Sequence, residues 1–123
     1  MPAQNTTTAA TLRLWAPVVA WAAVIFALSS IPDLGTGLGT WDLILRKIAH
    51  AGEFALLGAL LARALRDDRL ALAAGIAYAA SDELHQHFVS GRVGSPLDVA
   101  IDSVGVALGI LAWRRGSSRW ASR

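Results

Sequence analysis

The chain has 123 residues, of which 54 % are hydrophobic and only 16 % are charged, and its mean hydropathy is +0.48. A soluble domain carries about 25 % charged residues, so this composition excludes a disordered chain, a coiled coil and a nucleic-acid-binding arm. The formal net charge is +2 and the basic residues are spread along the chain, so we expect no nucleic-acid partner. The absence of cysteine excludes disulfides and cysteine-ligated zinc. Most of the chain is therefore expected to lie in lipid.

Four apolar runs, separated by short polar stretches, predict membrane-spanning helices over residues 14–31, 48–65, 70–89 and 97–113. At about 1.5 Å per residue, each run covers roughly 25–30 Å, which matches the hydrocarbon thickness of a bilayer. We therefore expect an all-α integral membrane four-helix bundle over residues 14–113. A short polar segment is expected over residues 1–13, and a basic tail over residues 114–123 that is disordered from Gly116 onward.

The first apolar run has an alternative interpretation as a cleaved signal peptide, with Arg13 as its basic region and a cleavage site near Ser29. The run is long for such a peptide, contains Trp15 and Trp21, and is followed by three further apolar runs. These features favour a first helix that is retained in the membrane.

The distribution of Lys and Arg predicts the orientation of the bundle, because cytoplasmic loops carry an excess of both. With four spans, both termini share one side with the loop between the second and third spans. That side holds eight of the eleven basic residues: Arg13, Arg63, Arg66, Arg69, Arg114, Arg115, Arg119 and Arg123. Both termini are therefore expected in the cytoplasm, in a multi-pass protein of the bacterial cytoplasmic (inner) membrane whose partners include the membrane lipids.

Small residues predict how the helices contact one another. Gly105 and Gly109 form a G-x-x-x-G pattern in the last helix. Such a face lets two helix backbones approach closely in lipid, where no hydrophobic force joins helices. We expect this face to serve helix packing, either within the chain or between copies of it.

Most acidic residues and all histidines fall on the opposite, outer half of the bundle. Glu53, Asp82 and Asp102 lie on three different predicted helices, each roughly 8–10 Å below the outer boundary at 1.5 Å per residue. An ionised carboxylate at that depth costs several kcal/mol unless it is paired or hydrated. Three carboxylates at one depth therefore predict a shared, partly hydrated pocket.

Helical spacing predicts which of these polar side chains share a face, because residues three or four apart are neighbours on a helix. The pairs at such spacing are His50 with Glu53, Glu83 with Gln86, Asp82 with Gln86, and Asp98 with Asp102. Each pair is expected to point toward the same pocket.

The residues around the pocket mouth suggest an anion-binding role. Lys47 lies one turn before His50 and is expected to offset the acidic residues. Ser95 followed by Pro96 predicts the start of the last helix, with Ser95 as its N-cap. The loop just before it carries Arg92, whose guanidinium suits bidentate binding of a phosphate or carboxylate.

Two motifs together resemble the VanZ-like family. The first is Lys47-x-x-His50-x-x-Glu53 in the second helix. The second joins the end of the third helix to the start of the fourth, and consists of Asp82, Glu83, Gln86, Phe88, Arg92, Ser95 and Asp98. The resemblance covers residues 26–109, and the chain departs from the family pattern at Asp102, where the family commonly has Asn.

The resemblance implies a small bacterial membrane protein of the cell envelope. The namesake of the family is associated with low-level resistance to the glycopeptide antibiotic teicoplanin, so antibiotic tolerance is an expected phenotype. Neither the family nor the motifs assign a reaction.

The first functional hypothesis is an envelope enzyme that acts on a lipid or lipid-linked substrate. Glu53 or Asp82 would be the general base and His50 its acid–base partner. The candidate catalytic residues are His50, Glu53, Asp82, Gln86 and Asp98. The candidate substrate-binding residues are Lys47, Arg92, Glu83, Ser95 and Asp102. A divalent metal is compatible with this hypothesis, with His50, Glu53, Asp82 and Asp98 as nitrogen and oxygen ligands, although the sequence does not identify a metal.

Three other hypotheses remain open. The pocket could bind a lipid, a lipid-linked cell-wall precursor, a glycopeptide or a partner protein without catalysis. Proton- or ion-coupled transport is disfavoured, because the acidic residues stop on the outer half and leave no relay to the cytoplasm. Alternatively, the buried acids pair with Lys47, Arg92 and His50 only to fix the helix register.

Overall fold

Four helices make up the described part of the chain. The computed structural model describes residues 2–30, 40–88 and 96–121, and in these residues it contains no strand. The helices are α1 (Pro2–Ser29), α2 (Thr40–Leu65), α3 (Asp68–Gln86) and α4 (Pro96–Ala121). The predicted all-α fold with four helices is confirmed.

Three helix ends lie well outside the predicted runs, including the start of α2, which begins at Thr40 rather than at residue 48. α1 begins at Pro2, so most of the expected polar N-terminal segment is helical, and proline is readily accepted at a first helical position. α4 continues to Ala121, so the expectation of a disordered tail from Gly116 is wrong. A single glycine costs only about 1 kcal/mol in a helix interior, which is not enough to end a long helix.

Three of the helices contain segments long and apolar enough to cross a bilayer, namely Thr8–Ser29, Ile44–Leu65 and Pro96–Ser117. α3 is not among them: it has 19 residues and carries Asp68, Arg69, Asp82 and Glu83. α2 and α4 both pack against α3. That α3 also crosses the membrane stays a prediction, and it depends on these neighbours covering its polar groups.

A two-residue turn joins α2 to α3 and makes them antiparallel neighbours. The backbone N–H of Arg66 donates to the Ala62 carbonyl oxygen at 2.9 Å, and Arg66 takes a left-handed conformation with φ of 56°. Asp67 then caps α3, since its carboxylate accepts from the backbone N–H groups of Arg69 and Leu70 at 2.9 and 3.1 Å. The turn places the first half of α2 beside the last turns of α3.

The closest helix contact is between α2 and α4, and it is made by glycines. A Cβ atom on Gly105 would overlap the carbonyl oxygen of Ala51, and one on Gly109 would overlap that of Ala55. The G-x-x-x-G face is therefore filled by α2 of the same chain. This contact fixes the rotation of α4 and so decides which of its side chains face α2.

Hydrogen bonds from Trp21 and Tyr78 attach the middle of α1 to α2 and α3. The indole N–H of Trp21 donates to the backbone carbonyl oxygen of Glu53 at 2.8 Å, and the hydroxyl of Tyr78 donates to that of Ala22. Below them lies an apolar core that includes Ile25 and Phe54, both fully buried. α1 is thus held against α2 and α3 near the level of Glu53.

We expect Tyr78→Phe to loosen α1 without changing the fold, because it removes one hydroxyl and keeps the ring that packs beside Phe54. A hydrogen bond of this kind contributes about 1 kcal/mol, which corresponds to a decrease in Tm of roughly 4 °C. Thermal unfolding in detergent, followed by tryptophan fluorescence, measures the change. An unchanged Tm would show that the bond to Ala22 does not hold α1 in place.

Arginine side chains from α2, from the α2–α3 turn and from α4 gather at one end of the bundle. A cavity of about 610 Å³ there is lined by the residues Leu14, Ala62, Arg63, Arg66, Asp68, Trp113, Arg114 and Ser117. Arg114 also pairs with Asp68 at 3.2 Å. The early part of α1, the α2–α3 turn and the late part of α4 therefore share this end, as the distribution of Arg predicts.

Candidate functional site

The imidazole of His50 lies at the centre of a polar cluster at the other end of the bundle. Its Nδ1 is 2.9 Å from Oε2 of Glu53, one turn later on α2. Its Nε2 is 2.9 Å from Oδ2 of Asp82 on α3 and 3.4 Å from Oδ2 of Asp102 on α4. One ring thus joins carboxylates from three helices.

Gln86 completes this group by donating from Nε2 to Oδ2 of Asp82 at 3.1 Å. We call the five residues His50, Glu53, Asp82, Gln86 and Asp102 the His50 cluster. The sequence-based expectation that polar residues of three helices converge is met by these contacts. The spacing of three residues from His50 to Glu53 and of four from Asp82 to Gln86 gives direct contacts, as expected for neighbours on a helix.

The His50 cluster is enclosed on the α3 and α4 sides and more open on the α2 side. The side chains of Asp82 and Asp102 are 2 % and 5 % exposed, whereas those of His50 and Glu53 are 21 % and 19 % exposed. Oδ1 of Asp82 is buried and has no hydrogen-bond partner in the described part of the chain. The two aspartates therefore lie at the back of the site, and a ligand has access from the side of His50 and Glu53.

The number of protons in the His50 cluster follows from its hydrogen bonds. A neutral imidazole carries one N–H, and an ionised carboxylate only accepts. Nδ1 contacts Glu53 and Nε2 contacts Asp82, so the two hydrogen bonds need two protons. A neutral ring with two carboxylates supplies only one, so the cluster holds one further proton. The cluster can hold that proton, give it to a substrate, or exchange it for a cation.

Lys47 offsets an acidic residue, as expected, but within the described residues this partner is Asp98 and not a carboxylate of the His50 cluster. Its ammonium pairs with the carboxylate of Asp98 from the first turn of α4. This ion pair is partly exposed, with 32 % of the Lys47 side chain accessible. Asp98 is thereby placed at the rim with Lys47, rather than beside His50.

The residues that could hold a metal also differ from the expectation. Within the described residues, the group with suitable geometry is His50, Asp82 and Asp102, whose ligand atoms lie within 4.8 Å of one another. Glu53 contacts the other ring nitrogen of His50, and Asp98 pairs with Lys47. Asp102, a predicted substrate-binding residue, therefore replaces Glu53 and Asp98 in the possible ligand set.

The remaining predicted site residues lie apart from the His50 cluster or outside the description. Glu83 faces His87, with 3.7 Å between Oε1 and Nε2, and its buried Oε2 has no hydrogen-bond partner among residues 2–30, 40–88 and 96–121. Arg92 and Ser95 lie outside the described residues. Pro96 is the first residue of α4, as the predicted helix start requires.

One contact near the site was not predicted from the sequence. The ring of His85 stacks on Phe26 with 4.2 Å between centroids, and its Nε2 is 2.8 Å from Oγ of Ser30. These contacts join the end of α1 to the end of α3. The sequence carries no local signal for these contacts, because Ser30 and His85 are 55 residues apart and Phe26 is still further from His85 in the chain.

Comparison with known proteins places the cluster in a family context. The model of the VanZ/LLP1 family matches residues 3–117, which include every residue of the His50 cluster. No curated protein and no solved structure matches the chain.

Proposed function

The chain belongs to the VanZ/LLP1 family, and we propose that it is an enzyme of the bacterial cell envelope that acts on a lipid or lipid-linked substrate at the His50 cluster. The observation that carries the proposal is the position of His50 between Glu53 and Asp82, with one ring nitrogen against each carboxylate. A histidine oriented by one carboxylate and facing another is an arrangement suited to proton transfer.

Each residue of the His50 cluster has a distinct part in the proposed chemistry. Glu53 holds the ring of His50 through Nδ1, and Gln86 holds the carboxylate of Asp82. His50 Nε2 and Asp82 together give the proton that they share to the leaving group and take in return the proton of the attacking water or hydroxyl group. Asp102 faces the same ring nitrogen and stabilises the protonated ring.

The location of the cluster supports a substrate with one polar and one lipidic part. Trp21 and Phe54 lie next to the site, and the spanning helices carry large exposed apolar side chains that suit contact with acyl chains. At the rim, Lys47 pairs with Asp98 and remains partly exposed. We expect Lys47, together with Arg92 from the segment between α3 and α4, to hold the anionic headgroup of the substrate.

A non-catalytic binder is the second candidate. The partly exposed Lys47 at the rim would equally recognise an anionic lipid, a lipid-linked cell-wall precursor, a glycopeptide or a partner protein. Binding without catalysis depends more on the positive charge of Lys47 at the rim than on proton transfer in the His50 cluster. A binder should therefore tolerate Glu53→Gln, which keeps the shape of the side chain and removes its ionisable group.

Teicoplanin susceptibility of a sensitive Gram-positive host tests the proposed function. We expect the wild-type chain to raise tolerance and Glu53→Gln to abolish the increase at matched membrane abundance. Asp68→Asn is the control, because it makes the same kind of change at the basic end of the bundle. Tolerance that survives Glu53→Gln would favour the binder, and a wild type without any effect would remove the link to teicoplanin.

We also propose that both termini face the cytoplasm, with the His50 cluster in the outer half of the membrane. The chain has no cysteine, so single cysteines can be introduced without a background. In intact cells, a membrane-impermeant maleimide should label Gly37→Cys in the α1–α2 connection. It should not label Ser117→Cys, near the end of α4, until the cells are opened. The reverse pattern would place the cluster on the cytoplasmic side.

A further inference from the structure

We propose that Nε2 of His50 and the carboxylates of Asp82 and Asp102 form a binding site for one divalent transition-metal ion. The three side chains come from α2, α3 and α4, so the site exists only in the assembled bundle. The inference does not depend on the proposed enzyme activity, because metal binding is measured directly.

The two distances from Nε2 of His50 to the carboxylate oxygens match those between ligands around one ion, and all three ligand atoms lie within 4.8 Å of one another. Ligands about 2.1 Å from a metal, at octahedral or tetrahedral angles, stand roughly 3.0–3.4 Å from one another. Nε2 of His50 is 2.9 Å from Oδ2 of Asp82 and 3.4 Å from Oδ2 of Asp102. Small shifts of the side chains are therefore enough to accept the ion.

The charge of the site calls for a cation. Two almost fully buried carboxylates face one imidazole, and in the described structure the ion pairs of Asp82 and Asp102 are both with His50. Lys47 is paired with Asp98 instead. Two ionised aspartates at this depth need compensation, and a divalent ion with a neutral imidazole supplies it completely. The ion takes the position of the proton between Nε2 and Asp82.

A second observation points to a missing ligand at the same place. Among the described residues, the buried Oδ1 of Asp82 has no hydrogen-bond partner, whereas most buried polar atoms in proteins have one. The Asp82 carboxylate therefore has an unused pair of electrons in an enclosed site. Bidentate coordination, or a water molecule bound to the ion, would satisfy it.

The neighbours of these ligands are those that metal-binding side chains commonly have. A metal-bound histidine usually donates its other ring N–H to a carboxylate, which fixes the tautomer and the ring orientation. Nδ1 of His50 lies 2.9 Å from Oε2 of Glu53, and Gln86 donates to Asp82. Glu53 and Gln86 are thus positioning residues for the ligands.

One imidazole and two carboxylates suit ions such as Mn²⁺, Fe²⁺ or Zn²⁺. With the ion in place, the lone pairs of His50 and Asp82 are occupied. A water molecule on the ion then becomes the group that loses a proton. Asp102 gives the site a second charged ligand, which tightens binding of a cation.

Titration with Mn²⁺ tests the site. The full-length chain is purified without a polyhistidine tag, stripped with a chelator, and titrated while free Mn²⁺ is followed by electron paramagnetic resonance. We expect one bound Mn²⁺ per chain, displaced by Zn²⁺. Asp102→Asn should weaken binding about tenfold, and His50→Gln and Asp82→Asn should weaken it at least as much.

Asp68→Asn is the matched control, because it converts a carboxylate at the other end of α3 to an amide and leaves the three ligands intact. It should bind Mn²⁺ as the wild type does. Asp102→Asn guards against misfolding, since asparagine has nearly the same shape as aspartate and carries no charge. No binding by the wild type, or wild-type affinity in Asp102→Asn and Asp82→Asn, would overturn the metal site and leave the proposed proton chemistry untouched.

Discussion

Replacing Gly109 with leucine is expected to force α4 away from α2 and to unfold most of the chain. The Cα of Gly109 lies against the carbonyl oxygen of Ala55, and a single Cβ would already overlap that atom. Overpacking a core costs typically about 1–3 kcal/mol. Here the obstacle is helix backbone rather than a movable side chain, so the loss should reach the upper end of that range.

Gly52→Leu is the matched control for this substitution. Gly52 belongs to α2, like Ala55, but a Cβ there meets nothing within 4 Å. Both variants add the same side chain to a membrane helix. Size-exclusion chromatography and tryptophan-monitored unfolding in detergent should show a folded Gly52→Leu and an aggregated or strongly destabilised Gly109→Leu. Equal stability of the two variants would contradict the tight α2–α4 contact.

The second large expected effect is that Asp82 and Asp102, which the proposed function needs, lower the stability of the protein. In the presence of a chelator, we expect the double variant Asp82→Asn, Asp102→Asn to unfold at a higher temperature than the wild type. Two buried carboxylates facing one imidazole are costly, and amides of the same shape keep most hydrogen bonds. Replacing buried charges by neutral groups can stabilise a protein by about 1–4 kcal/mol.

His50→Gln should act in the opposite direction. It removes the group that faces Glu53, Asp82 and Asp102 and leaves their carboxylates without a counter-charge. Removing one partner of a buried ion pair costs about 3–5 kcal/mol. Thermal unfolding is measured for the double variant, for His50→Gln and for Asp68→Asn as the control. Shifts of Tm in opposite directions would separate the cost of the buried aspartates from the stabilisation by His50. A cluster that serves only to hold the helices together would lose stability in the double variant as well.

The sequence predicted the number of helices and the grouping of their charged ends because both depend on composition and on periodicity along one segment. Pro96 as the start of α4 is a local signal of the same kind. The exact ends of α1 and α4 were less predictable. Neither Arg13 nor Gly116 interrupts a helix, and the apolar runs mark only the part of each helix that suits lipid.

The candidate site was predicted in part. His50 with Glu53 follows from spacing within α2, and the depth of Asp82 and Asp102 brought both to the level of Glu53. The choice of partners could not be predicted, because it depends on the rotation of each helix about its axis. That rotation is set in α4 by the glycine contacts, which turn Asp102 toward His50 and leave Asp98 to Lys47 at the rim.

The central claim is that the His50 cluster acts chemically on a lipid or lipid-linked substrate of the envelope. The most direct test compares the extracted lipids and lipid-linked precursors of host cells that express the wild-type chain or Glu53→Gln at equal membrane abundance. We expect at least one such species to be consumed, and a product to appear, only with the wild type. Identical profiles, with both proteins folded in the membrane, would contradict the claim and leave the VanZ/LLP1 chain as a binding protein.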